Sequence, residues 1–314
     1  MQTRRQFGQT MALLAAGGAS ALAQKVDLTV RGVRLGAITG SLGPFNQIPE
    51  GKDVTDLVIE QCLAANVGNV ELVNSLYEPR VTGGGIGGQA PANVTPEYTR
   101  TREALRQWRL DTPPEFFAAI RKKFDDAGLN LFSWVMTIGD DFTEPEIDAV
   151  FRQMQALKVS VFCTNQTRVS AGPRMKPYAE KYNIRPAFHT HAMAQDPNEV
   201  SSPQSLQNLM NMSPLFMINL DIGHFARGGN DPWAYFQAHH DRITHLHVKD
   251  HKADNTSVEI GEGALHIRDM LLMARDRNLP VAFILERDFR GSGTSLEETK
   301  KQIGIMRSML ESQG

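Results

Sequence analysis

The chain is poor in cysteine, in cationic excess and in long apolar runs, and each shortage removes a class of protein. Among 314 residues only Cys62 and Cys163 are cysteine, and no Cys-x-x-Cys occurs. A multi-bridge scaffold and a zinc ribbon are therefore excluded. Lys and Arg number 33 against 35 Asp and Glu, a formal net charge of -2. That leaves no basic field to neutralise a phosphate backbone, so nucleic acid is not an expected partner. No apolar run reaches the ~20 residues needed to span a bilayer, so no stable membrane anchor is expected in the mature protein. The glycine run Gly83-Gly84-Gly85-Ile86-Gly87-Gly88 is not followed by Gly-Lys-Ser/Thr, and Ser170 lacks a Gly-x-Ser-x-Gly setting. These absences argue against a P-loop and a serine hydrolase. What remains is 41% hydrophobic and 22% charged, the usage of an ordinary globular enzyme or binding protein.

The first residues read as an address. Thr3-Arg4-Arg5-Gln6-Phe7 precedes a short apolar stretch at residues 11–16 and the site Ala21-Leu22-Ala23. A charged start, a weakly apolar core and an A-x-A site predict an export signal over residues 1–23. Arg4, Arg5 and Phe7 resemble the twin-arginine type. The resemblance implies a periplasmic or secreted protein, with the twin-arginine translocase as a transient partner. That route carries folded proteins, often with a metal or cofactor already loaded. The oligomeric state stays open.

Residues 24–314 show one rhythm. Short β-rich runs at residues 33–39, 69–73, 130–137, 159–165, 184–189, 216–221, 243–249 and 281–286 alternate with amphipathic stretches. Helices are predicted at residues 54–65, 114–127, 144–157, 202–212, 231–239, 264–278 and 296–310. Ser202-Pro203 and Asp231-Pro232 carry helix-start signals. Eight strand–helix units predict a single (β/α)8 TIM barrel, with a doubly wound sheet as runner-up. An insertion at about 74–112, including the glycine run, is expected to form a flexible lid.

In such a barrel the chemistry lies at the carboxyl ends of the strands. The fifth predicted strand closes on His189-Thr190-His191, the sixth on Asp221-Ile222-Gly223-His224, and the eighth on Glu286-Arg287. The seventh reads His245-Leu246-His247-Val248-Lys249-Asp250. Strand alternation puts His245, His247 and Lys249 on one face, and the apolar Leu246 and Val248 suit the helix layer. His189, Asp221, His247 and Glu286 then converge inside the mouth. Two imidazoles and two carboxylates suit one borderline divalent cation, with Mn²⁺ the expected ion and Co²⁺, Zn²⁺ and Fe²⁺ compatible. Buried Asp and Glu would be costly there without a cation.

These motifs resemble the xylose isomerase-like TIM barrels, the sugar phosphate isomerase/epimerase family. It includes ketose 3-epimerases and lyases acting on 3-keto-glycosides. The resemblance is carried by Asp221-x-x-His224, by the run from His245 to Asp250, and by Glu286. It implies that Asp221, His247 and Glu286 are metal ligands and that His224 contacts substrate. One position departs from the pattern. The epimerases carry a catalytic Glu where this chain has His189, so the paired acid/base carboxylates are lost and one-sided proton abstraction is favoured.

The resulting expectation is a metal-dependent enzyme acting on a small-molecule carbohydrate beside its carbonyl, either a 3-keto-glycoside lyase or a ketose epimerase or isomerase. A non-catalytic periplasmic sugar-binding barrel is the alternative from another class. Glu286, Lys249, His224 and His191 are the expected catalytic groups. Glu71, Trp134, His245 and Arg287 are the expected substrate contacts, with Trp134 offering a ring for stacking on a sugar. Glu144, Glu146 and Asp148 read as a solvated helix face.

Overall fold

The computed structural model describes residues 26–45, 47–84, 90–91, 93–288 and 291–312. The predicted signal at residues 1–23 and the glycine run beyond Gly84 lie outside the described residues.

All eight predicted strands form, and they close on themselves. They are β1 (Arg34–Ile38), β2 (Asn69–Val73), β3 (Asn130–Val135), β4 (Val161–Cys163), β5 (Arg185–His189), β6 (Met217–Asp221), β7 (Ile243–Val248) and β8 (Ala282–Leu285). Each pairs in parallel with its sequence neighbours, and β8 closes the ring on β1 with Ala37 opposite Leu285. Parallel pairing needs a crossover, and helices supply it. The helices are α1 (Val54–Ala65), α2 (Pro96–Asp111), α3 (Pro114–Asp126), α4 (Glu144–Ala156), α5 (Gly172–Tyr182), α6 (Pro203–Met212), α7 (Ile222–Arg227), α8 (Pro232–His239), α9 (Ile267–Asp276) and α10 (Ser295–Glu311). The start signals act as expected. Ser202 and Asp231 accept backbone N–H bonds at the starts of α6 and α8, each with proline in the first turn.

Three helices escaped the sequence reading. Proline at position 177 hides α5, whose pattern looks broken there although the helix continues through it. Helix α2 occupies the insertion where a flexible lid was expected. Helix α7 is only six residues long, too short for periodicity to register.

The core divides by strand alternation. Phe188, Leu220, Leu246, Val248, Phe283 and Leu285 turn outward and pack under the helices. Ile38, Val135, Cys163, Ala282 and Ile284 form a separate small cluster inside the ring. Gly36 allows β1 to lie against β2, because a Cβ there would meet Asn69 O at 2.2 Å. Cys62 and Cys163 are both buried and unbridged. No helix among the described residues is long and apolar enough to cross a membrane.

Candidate metal centre

The inward positions of β5 to β8 bring four donors together. One atom each from His189, Asp221, His247 and Glu286 lies within 4.8 Å of the other three. His189 Nε2 is 3.3 Å from Asp221 Oδ2 and 3.7 Å from Glu286 Oε2. His247 Nδ1 is 2.9 Å from Glu286 Oε2 and 4.0 Å from Asp221 Oδ2. His189, Asp221 and His247 are buried, while the Glu286 side chain is 31% exposed. Glu286 thus faces the open mouth.

Local structure aims these atoms. Asp221 ends β6 and caps α7, its Oδ1 accepting the His224 backbone N–H at 2.7 Å. That bond fixes the carboxylate and leaves Oδ2 for the cluster. His247 is held from below by Glu71, which takes its Nε2 in a short hydrogen bond. The ring is thereby turned so that Nδ1 faces Glu286. Such carboxylate–histidine pairs orient a metal-binding imidazole and raise its basicity. His189 is held in the same way by His191, whose Nε2 is 3.1 Å from His189 Nδ1. His191 is itself anchored by Glu199 at 3.1 Å and Gln166 at 2.9 Å.

Burial and charge set the electrostatics. Burial raises the Asp221 carboxyl, but Lys249, His224 and His189 outweigh it and hold the group well below the ordinary carboxylate range. Glu286 is likewise depressed, by Lys249 and His247 against the cost of burial. Lys249 Nζ lies 2.7 Å from Asp221 Oδ2 and 2.8 Å from Glu286 Oε2. Gly223 makes room for its shaft, since a Cβ there would meet Lys249 Cγ at 2.6 Å. Burial, with the Lys249 and His189 charges, pushes the His224 imidazole down to about 4 despite Asp221 nearby. His224 is therefore neutral at physiological pH.

The donor set fits a divalent cation. His189 Nε2, His247 Nδ1 and Asp221 Oδ2 are buried and make no well-aligned hydrogen bond. Two imidazole nitrogens and a carboxylate oxygen turned to one point, with only one another, Glu286 and Lys249 close by, mark a place for a cation. Mixed nitrogen and oxygen donors suit Mn²⁺, Fe²⁺, Co²⁺ or Zn²⁺ better than Ca²⁺ or Mg²⁺. A second group, Glu71, Cys163, His245 and His247, also meets within 4.8 Å. Here Glu71 is already compensated, by His245 at 3.0 Å and by His247. This lower layer supports His247.

Residues 173–309 match the family model described as the xylose isomerase-like TIM barrel. The chain folds as a (β/α)8 TIM barrel whose residues 173–309 are similar to that family. Solved structures share the fold at low identity. A probable 3-DHS dehydratase involved in petrobactin synthesis from Bacillus anthracis is 16% identical, with 86% of this chain and 97% of that one covered and a TM-score of 0.57. A 3-keto-D-glucoside 4-epimerase from E. coli is 9% identical, covering 88% and 99%, with a TM-score of 0.58. An IOLI protein with a bound zinc atom is 15% identical, covering 89% and 99%, with a TM-score of 0.56. No curated protein matches the sequence.

Several expectations need correction within this barrel. Trp134 turns outward from β3 and is fully buried, its ring 5.9 Å from Tyr77 and 6.0 Å from Phe117. It cannot stack on a sugar, because it belongs to the helix-side core. His245 faces inward as expected but is sealed beneath the site, between Glu71, Thr244 and the edge of Phe132. Glu71 is fully buried, bonded to His245, His247 and Ser133. Neither residue can touch substrate, because both lie one layer too deep along their strands. His191 is 6% exposed with both ring nitrogens engaged. It positions His189 and presents no free nitrogen to a reacting group. Arg287 follows β8 and donates to Ser295 Oγ at 2.8 Å, lining a cavity of about 620 Å³ with Gly40, Pro44 and Ser295.

Glu146 is the largest surprise. It is no solvated face residue but is completely buried under α2, taking Arg102 at 2.9 Å, Arg109 at 2.8 Å and Arg106 at 3.3 Å. Helix periodicity could have raised the alarm. Glu146 falls on the stripe of Ile147, Val150 and Met154, all buried.

Proposed function

We propose that the protein is a divalent-metal-dependent enzyme of the sugar isomerase and epimerase kind, acting on a carbohydrate beside its carbonyl. The observation that carries the reading is the convergence of His189, Asp221, His247 and Glu286 on one point at the mouth of the barrel. A non-catalytic sugar-binding barrel has no use for such a donor set. The ring expected to serve as its aromatic platform, Trp134, is in the core.

We further propose that the reaction is elimination from a 3-keto-glycoside. Support comes from His189, which stands where the epimerases carry a second catalytic carboxylate. Two of the structural neighbours, the probable dehydratase and the 3-keto-D-glucoside 4-epimerase, are in keeping with chemistry beside a ketone. Exported from the cell, the enzyme would meet free sugars and glycosides rather than phosphorylated ones. Mn²⁺ is the ion proposed.

The four ligands would hold the cation, which as a Lewis acid would polarise the substrate C=O and acidify the neighbouring C–H. Glu286, exposed on one side and ionised, would take that proton. Lys249 carries a permanent positive charge at the Glu286 oxygen and stabilises oxyanion charge as it develops. His224, neutral and 31% exposed, with Nε2 3.9 Å from Asp221 Oδ2, would donate its N–H to a departing oxygen.

The experiment incubates the metal-loaded enzyme with a 3-keto-glucoside, and separately with free ketohexoses in deuterated water. Aglycone release from the glycoside alone supports elimination. Deuterium uptake and C3-epimer formation from ketohexoses, without release, would replace the lyase reading with an epimerase. Inertness towards both would remove the carbohydrate reading.

A further inference from the structure

We propose that a second cavity at the barrel mouth is a subsite for a carboxylate carried by the far part of the substrate, so that the substrate is an acidic sugar or an acidic glycoside. The inference rests on the carbohydrate reading above and adds a substrate class to it. The cavity, of about 440 Å³, opens over the ends of β2, β3 and β4, where Asn74, Thr137 and Asn165 line it with Arg80 and Arg102. It borders the metal centre through one run of hydrogen bonds. The Gln166 backbone N–H donates to Thr137 Oγ1 at 3.3 Å, and Gln166 Nε2 is 2.9 Å from His191 Nε2. His191 in turn holds the ligand His189. The far part of a substrate held at the metal would sit in this cavity, beyond the wall that Thr137, Gln166 and His191 form.

Arg102 identifies what the cavity accepts. Its side chain is only 6% exposed. Nε donates to Asp141 at 2.8 Å and Nη2 to Glu146 at 2.9 Å. Nη1 is buried and has no partner. The guanidinium cannot turn away, because it is clamped at two corners and lies 4.8 Å from the Phe142 ring centre. It cannot shed its charge either. The unpaired N–H donors call for an acceptor from outside the fold.

The carboxylate in the cavity wall does not supply one. Glu78 gives its two oxygens to Arg109 Nε and Nη2, at 2.7 Å each. Arg80 lines the same cavity from an exposed position. The unspent charge there is positive, and the unspent hydrogen-bonding capacity is a donor. An oxyanion satisfies both. With one guanidinium nitrogen free, a singly charged carboxylate matches better than a doubly charged phosphate. Asn165, which holds a left-handed backbone at φ 36°, contributes an uncharged amide beside it.

Calorimetric titration of the full chain with Mn²⁺, using D-glucuronate, D-glucose and D-glucose 6-phosphate as separate ligands, tests the proposal. Glucuronate should bind roughly 10-fold or more tightly than glucose, the value of a charge-assisted hydrogen bond. Arg102 itself sits in a structural network, so the informative variant is Asn165→Asp. Asp keeps the side-chain shape and tolerates the left-handed backbone, but it sets a negative charge beside the bound carboxylate. The glucuronate-to-glucose ratio should fall to near one. Equal binding of the two sugars by the native protein, or a ratio unmoved by Asn165→Asp, would overturn the acidic subsite while leaving the carbohydrate reading in place. Preference for the phosphate ester would overturn the carboxylate assignment. Failure of every sugar to bind would remove both readings together.

Discussion

Glu71 and His247 stand 176 residues apart in the chain yet share a short hydrogen bond across the barrel, Glu71 Oε1 taking His247 Nε2. That bond decides which nitrogen of His247 faces the metal centre. Glu71→Gln keeps the shape and removes the charge. Metal affinity, read by chelator competition, should fall by about 10- to 100-fold, as for other partners of metal-bound histidine. Unchanged affinity would show that Glu71 is only a packed carboxylate.

Asp221 divides its two oxygens between a helix cap and the cluster. Asp221→Asn should keep the cap, because Asn caps as well as Asp, while weakening metal binding. Asp221→Ala should lose both and cost about 1 kcal/mol more in stability. Denaturant melts of the two variants separate the roles. Equal stability of both would mean that the bond to the His224 N–H contributes nothing.

Lys249→Met should lower kcat on the order of 10²-fold or more if the ammonium stabilises a developing oxyanion. Glu286→Gln should abolish turnover, since it removes a ligand and a base together. A Lys249→Met enzyme with full kcat would confine that residue to compensating the two carboxylates at rest.

Glu146 predicts an acid limit. Burial raises its carboxyl, but Arg102 and Arg109 outweigh that and hold it below the ordinary 4.5. A group depressed on folding stabilises the fold fully above its unfolded value. Its contribution is lost as pH falls from about 4.5 through the lower, folded value. Glu146→Gln should cost about 3–5 kcal/mol at neutral pH, because three arginines lose a buried partner. It should also flatten the stability profile below pH 4.5. A native-like urea midpoint would contradict this.

Arg4→Lys with Arg5→Lys should leave precursor in the cytoplasm, since the twin-arginine route reads the guanidinium pair. Cell fractionation with an antibody to the protein decides it, and normal periplasmic levels would rule the route out.

The sequence by itself determined the barrel and the inward set of its later strands. Eight β-rich runs separated by amphipathic stretches leave few other topologies. The two-residue repeat puts His245, His247 and Lys249 on the face opposite Leu246 and Val248 whatever the rest of the chain does. Depth along a strand was another matter. Alternation tells inside from outside but not mouth from floor, so Glu71 and His245 read as substrate contacts when they lie beneath the ligands. Trp134 was read by residue type alone, and an aromatic ring serves a sugar platform and a helix-side core equally well; its burial against Tyr77 and Phe117 is decided by packing. Only the tertiary structure could join Glu71 to His247, or bury Glu146 among arginines from another helix. Those pairings depend on the closure of the ring and on where α2 lands, and long-range contacts of that kind leave no local pattern in the chain.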